Sequence, residues 1–176
     1  MTFTDPKKAK QRTPLAATAT VLVALLTSCS SGQAQQDSQH KGKPPLADTQ
    51  PCSTLTENQK NKLDITTPGN ISELDEGTCR WKANGNNFNI SIYKEKPLEK
   101  IDFSDAEAIE EIKVDKQDAL LVKNNTGTGA CSLAFAVTES SSVSVNSVAD
   151  TPGDTETACD LVKKAAPMVE RNISDS

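Results

Sequence analysis

Five cysteines and one histidine are the side chains of this sequence best suited to chemistry, and their spacing decides which chemistry is open to them. Cys29 follows Leu26-Thr27-Ser28, whereas Cys52, Cys79, Cys131 and Cys159 are separated by 27, 52 and 28 residues. Zinc sites with four thiolates are usually built from Cys-x-x-Cys knuckles, and thiol oxidoreductases rely on the same short motif. Neither motif is present, so no metal, cofactor or redox centre is expected. A single histidine excludes a His-His metal pair. His40 stands among Gln39, Lys41 and Lys43 ahead of Pro44-Pro45, and reads as a solvated surface residue rather than a catalytic base.

Three other groups invite a chemical reading. Asp102, Asp105, Glu107, Glu110 and Glu111 crowd a ten-residue window. On a helix, Glu107 would share a face with Glu110 and Glu111, as a cation site or acid/base pair requires. The chain lacks an Asp-x-Asp-x-Asp-Gly loop, and a solvated acidic helix face is the expectation. Gly127-Thr128-Gly129 resembles part of a phosphate loop but lacks its lysine and following helix, so a turn is expected. Ser140-Ser141-Ser142 has no neighbouring base and no Gly-x-Ser-x-Gly elbow, and reads as a hairpin loop. An enzyme is therefore not expected. With a net charge of −5 and 3 % aromatic residues, nucleic acid is not an expected partner either.

The N-terminus explains the odd cysteine. Lys7, Lys8, Lys10 and Arg12 precede an apolar run from Leu15 to Leu26, which ends at Cys29. This is the charged, apolar and small-residue order of a secretory signal. About 12 apolar residues make roughly 18 Å of helix, short of a hydrocarbon core about 30 Å thick. Leu26-Thr27-Ser28-Cys29 looks like a bacterial lipobox, in which the cysteine thiol takes a diacylglyceryl group and becomes the first residue after cleavage. Residues 1–28 would then be the signal peptide and Cys29 the lipidation site. Two acyl chains are enough for stable anchoring. Cleavage would move the net charge from −5 to −8, because Lys7, Lys8, Lys10, Arg12 and Asp5 leave together. Anionic headgroups repel such a body, so the lipid rather than the protein surface is expected to hold it at the membrane.

Residues 29–50 read as the lipidated cysteine and a flexible polar tether, with no large apolar side chain before Leu46. Residues 51–176 form the expected single domain. Leu, Ile, Val and Phe make up about 21 % of it, a lean composition that gains from covalent staples. An exported location permits oxidation, so Cys52, Cys79, Cys131 and Cys159 are expected to form two disulfides, in one of three possible pairings.

The elements that position these residues follow from periodicity. Thr56-Glu57-Asn58-Gln59 has capping-box spacing and predicts a helix to about Leu63. Thr78–Ala83 and Phe88–Tyr93 flank Asn84-Gly85-Asn86-Asn87 as a hairpin, with Phe88, Ile90 and Ile92 on one face. Ser104-Asp105-Ala106-Glu107 repeats the capping box and predicts a helix to about Ile112. Strands are predicted at Ala119–Lys123, Cys131–Thr138 and Ser142–Val148. A final helix, capped by Asp154 or Thr155, carries Ala158, Leu161, Val162, Ala165, Met168 and Val169 in one apolar stripe, with Pro167 expected to kink or shorten it. Trp81, beside Cys79, is expected to pack against a disulfide. The fold class is α+β: a mainly antiparallel sheet with helices packed on one side.

Taken together, the lipobox, the tether, Pro51-Cys52-Ser53-Thr54-Leu55-Thr56, Cys79-Arg80-Trp81, Cys131 and Ala158-Cys159-Asp160-Leu161 resemble the actinobacterial lipoproteins grouped as domain of unknown function 3558. The resemblance covers about residues 51–173; Ser53 departs from the aspartate that the family often carries. It implies a Gram-positive envelope and pairing of Cys52 with Cys79 and of Cys131 with Cys159, and it supplies no catalytic residues. The expected function is a membrane-anchored envelope lipoprotein with a non-enzymatic, extracytoplasmic binding role toward an envelope protein or ligand. The competing expectation is a small solute- or lipid-binding lipoprotein that delivers cargo to a membrane system, its pocket lying between sheet and helices.

Overall fold

The computed structural model describes residues 46–174; the signal segment, Cys29 and His40 lie outside the described residues. In chain order the elements are a 3-10 turn Pro51–Ser53, helix α1 (Glu57–Lys62), strands β1 (Asn70–Ser72), β2 (Asp75–Ala83) and β3 (Asn86–Tyr93), and a second 3-10 turn Leu98–Lys100. Strands β4 (Ala108–Val114), β5 (Gln117–Lys123), β6 (Ala130–Thr138) and β7 (Ser141–Val148) follow, and helix α2 (Thr155–Ser174) closes the chain. The strands make one seven-stranded antiparallel sheet in the order β1-β2-β3-β7-β6-β5-β4. The α+β class with a mainly antiparallel sheet is thus observed.

Alternation along the strands sorts their side chains. Cys79, Trp81, Phe88, Ile90, Val143, Val145, Leu133, Phe135 and Leu121 point to one face and are buried. Two separate segments cover this face. The turn Pro51–Ser53 packs on β1, β2 and β3, with Leu46, Leu55, Leu63 and Ile65 filling the core beside it. Helix α2 packs chiefly on β6 and β7, burying Ala158, Cys159, Val162, Ala165, Ala166, Val169 and Ile173. Leu46 is 1 % exposed, so the packing of the domain extends into the last residues of the expected tether, before Pro51.

The capping box at α1 is present in both directions: Gln59 N–H donates to Thr56 Oγ1 at 3.3 Å and Thr56 N–H to Gln59 Oε1 at 2.8 Å. The β2–β3 connection is tighter than expected. Asn84 (φ 48°) and Gly85 (φ 82°) alone make the turn, while Asn86 and Asn87 belong to β3; positive φ at both central residues is what a type I′ hairpin needs.

The predicted helix over Ser104–Ile112 is a strand instead. Ser104 N–H donates to Asp102 Oδ1 and Glu107 N–H to the Lys123 carbonyl, which lays residues 108–114 along β5 as edge strand β4. Here the pairing partner outweighs the helix preference of Ala106, Glu107 and Glu110. The serine run is also corrected: Ser140 lies in the turn, but Ser141 and Ser142 begin β7 and are buried. Pro167 stands inside α2 without ending it. It cannot donate to the Lys163 carbonyl, yet buried residues on both sides, Val162 and Val169 among them, hold the helix to the sheet.

Candidate functional site

The four cysteines of the domain form two disulfides, Cys52–Cys79 and Cys131–Cys159, each closing a loop of nearly the same length, 27 and 28 residues. The first ties the turn Pro51–Ser53 to β2, and the second ties α2 to β6. Trp81 shares a face with Cys79. Its indole Nε1 and the Cys79 sulfur both lie against Gly69, where an added Cβ would come within 2.6 Å of each. Trp81 also stacks at a tilt on Phe88, with 5.9 Å between ring centroids.

The acidic window does not converge. Asp102 accepts a hydrogen bond from the Ser104 backbone, which holds its carboxyl below the usual range. Glu107 accepts from Asn124 Nδ2 at 2.6 Å, and Glu110 pairs with Lys123 at 2.5 Å. That bond to Lys123 lowers the Glu110 pKa, the opposite of what a general acid requires. Glu110 and Glu111 are successive strand residues and point to opposite faces of β4. Among the described residues no group of three or more histidine, cysteine or acidic side chains is placed to hold a metal.

The turn at Gly127–Gly129 is structural. Gly129, with φ at 84°, donates its N–H to Asn124 Oδ1 at 3.0 Å and to Thr155 Oγ1 at 3.2 Å. It thereby clamps the β5–β6 connection to the start of α2, where Asp154 Oδ1 accepts from Thr157 N–H, and the Thr157 hydroxyl together with that backbone bond holds the Asp154 carboxyl at a lowered pKa.

Where the sequence pointed to no site, the fold makes a cleft of about 640 Å³ at the ends of β2 and β3. Thr49–Pro51 form one wall, Asp75–Gly77 another and Ile92–Lys96 the third, so the Cys52–Cys79 disulfide fixes the first wall against the second. Gly77 allows the close approach: a Cβ there would stand 2.7 Å from the Ile92 carbonyl oxygen. The lining mixes Asp75, Glu76 and Glu95 with Lys94 and Lys96. The Lys96 ammonium lies 5.0 Å from the Tyr93 ring centroid. Burial raises the Tyr93 pKa above 10.0, with Asp75 adding to the rise and a hydrogen bond with Ser91 opposing it, so the phenol stays protonated. Behind it, Thr78 Oγ1 donates to Asp75 Oδ2 and is 2.7 Å from Ser91 Oγ, a file of hydroxyls ending on a carboxylate. Such a site can hold a small polar ligand. It does not lie between sheet and helix as expected; a cavity of only about 50 Å³ is found near the C-terminal end of α2, beside Phe135 and Ile173. A further cleft of about 350 Å³ opens at the first turns of α2, beside Lys123 and Cys159.

A seven-stranded antiparallel sheet, covered on one face by two disulfide-pinned segments, defines a small α+β domain stapled by two disulfides. The family model described as "Protein of unknown function (DUF3558)" matches residues 24–172, and the chain belongs to that family. No curated protein and no solved structure matches the chain. Among the described residues no helix is long and apolar enough to cross a membrane.

Proposed function

We propose that this chain is a lipid-anchored envelope protein whose extracytoplasmic domain binds an envelope protein or ligand and catalyses no reaction. The observation that carries the reading is the use of the cysteines. All four in the domain are consumed in disulfides, which leaves Cys29, at the end of an apolar run, for acylation. The family match begins at residue 24 and so takes in Leu26-Thr27-Ser28-Cys29, which supports an anchor as part of the family pattern. The two disulfides favour an oxidising location outside the cytoplasm. Against catalysis stand the chain's single histidine, His40, and the downward pKa shifts of Asp102 and Glu110. Metabolic labelling with a fatty acid in a bacterial host tests the anchor. Label is expected on the wild type and lost in Cys29→Ala; label that persists in the variant refutes it.

The cleft at Tyr93 favours a second reading, a carrier of a small solute, because its volume suits a small molecule. Native mass spectrometry of protein drawn from envelopes separates the two. A stoichiometric small molecule present in wild type and absent in Tyr93→Ala supports the carrier; a bare protein mass in both supports the anchored binding domain.

A further inference from the structure

The sheet ends in two unlike edges. At one end β1 has three residues, and its register with β2 shifts between Ile71 and Ser72. A short, irregular strand of this kind blunts an edge. At the other end β4 pairs with β5 through all 7 of its residues without a shift, and it contains neither proline nor glycine. Among the described residues no strand lies beyond it, and Ile109, Glu110, Glu111 and Lys113 are exposed. The outer backbone N–H and C=O groups of β4 are therefore open to pairing with another strand.

Charged side chains on an edge usually discourage such pairing. Those of β4 are arranged so that one register attracts. Glu110, Ile112 and Val114 face the α2 side of the sheet, and Ile109, Glu111 and Lys113 face away from it. When two identical strands pair antiparallel, a two-fold axis normal to the sheet keeps each side chain on its own face, so a register is defined by the residue on the axis. With Ile109 on the axis, Glu111 would oppose Glu107. With Glu110, Glu111 or Lys113 there, that residue would oppose its own copy, and like charges directly opposite repel. With Ile112 on the axis, Glu111 opposes Lys113 on both sides of it, and Ile112 meets its own copy on the other face. The Lys113 ammonium already pairs with Asp118 of β5, so each rung sets one cation between two carboxylates. Glu110 is paired with Lys123 within the chain and would oppose the apolar Val114.

We infer that β4 is a self-association edge, on which a second copy of this chain pairs antiparallel about Ile112 and joins the two sheets into one. The occupant follows from the self-complementary charges: a second copy supplies both the lysine for Glu111 and the glutamate for Lys113. Such a contact uses the same surface on both chains and closes at two, because β1 offers no comparable edge for further growth. A few paired residues bury little surface, so the dimer is weak in solution. The inference is independent of the cleft at Tyr93 and of acylation at Cys29.

Sedimentation velocity of the full-length protein in density-matched detergent, at submillimolar concentration, tests it. The wild type is expected to reach a monomer–dimer equilibrium. Glu111→Lys and Lys113→Glu each place like charges opposite one another at both rungs and weaken self-association about ten-fold. Lys113→Gln, which removes the attraction without adding repulsion, falls between. The decisive sample is an equal mixture of the Glu111→Lys and Lys113→Glu proteins. Opposite charges meet again at both rungs of a mixed pair, so the mixture should dimerise like the wild type although neither component does. Recovery in the mixture also shows that both variants are folded, and chance sharing of a micelle would not follow the charges. A monomeric wild type, single variants that associate like the wild type, a mixture no more dimeric than its components, or growth beyond two copies overturns the inference.

Discussion

The two segments that cover the sheet do the same task by different means. Helix α2 runs for 20 residues and buries seven of them against the sheet, whereas α1 runs for 6 and buries none. On the α1 side the covering is irregular chain: Leu46, Pro51, Leu55, Leu63 and Ile65 plug the core from turns and loop positions. Loop-closure entropy favours the two disulfides about equally, at about 3–4 kcal/mol each for loops of this length. What differs is what remains when the bond is gone. α2 keeps a continuous apolar stripe, while the N-terminal segment keeps a few separate plugs and one capping box. The comparison teaches that a disulfide matters most locally where regular structure contributes least, and here that place is also the wall of the Tyr93 cleft.

The largest test of this contrast replaces each disulfide by two alanines. Both Cys52→Ala/Cys79→Ala and Cys131→Ala/Cys159→Ala are expected to cost about 3–4 kcal/mol by denaturant unfolding. Hydrogen exchange should separate them: loss of the first bond speeds exchange mainly over residues 46–65, and loss of the second speeds it across the sheet. Equal exchange patterns in the two variants would break the distinction. Next in size is Gly69→Ala, whose new Cβ would press on Trp81 and the Cys79 sulfur. A cost of about 1–3 kcal/mol is expected from this overpacking, and a changed emission from Trp81, the chain's one tryptophan, would report it. Thr56→Ala removes one half of the α1 capping box and should cost about 1 kcal/mol, read as a lower denaturant midpoint at unchanged slope.

Two titrations complete the series with smaller effects. Tyr93 is the chain's single tyrosine, so its ultraviolet titration is unambiguous: the folded phenol should ionise above 10.0. Because the folded pKa is raised, the stabilisation is complete below 10.0 and is lost as pH climbs through the folded value. On the α2 side the sign is reversed. The lowered pKa of Asp154 means that its cap is intact above the ordinary carboxylate value of 3.8 and is lost as pH falls through the lower folded value. Asp154→Asn should flatten the acid limb of the stability curve slightly, leaving the alkaline limb unchanged.

The sequence revealed these two sides unequally. The stripe from Ala158 to Val169 and the alternation of β6 and β7 are local patterns that stand where periodicity placed them, while the β2–β3 hairpin stands with a turn two residues shorter than expected. The stretch from Ser104 to Val114 misled because its residues favour a helix, while its state is decided by Lys123 and the rest of β5, which pair along it. The three-residue strand β1 is too short to carry a period. The Tyr93 cleft was hidden for a related reason: Thr49–Pro51, Asp75–Gly77 and Ile92–Lys96 meet only through strand register and a disulfide. The asparagines at 89 and 146 are poor strand residues inside clear strand patterns, and the hydrogen bond from Asn146 Nδ2 to Asn89 Oδ1 across the β3–β7 pair is what accommodates them.

The division of five cysteines into one anchor and two staples is tested most directly by a non-reduced peptide map of the protein taken from its native envelope, read by mass spectrometry. The map should contain one peptide joining Cys52 to Cys79, another joining Cys131 to Cys159, and a chain that begins at Cys29 with the added mass of a diacylglyceryl group. An unmodified Cys29, or any disulfide that includes it, would contradict that division.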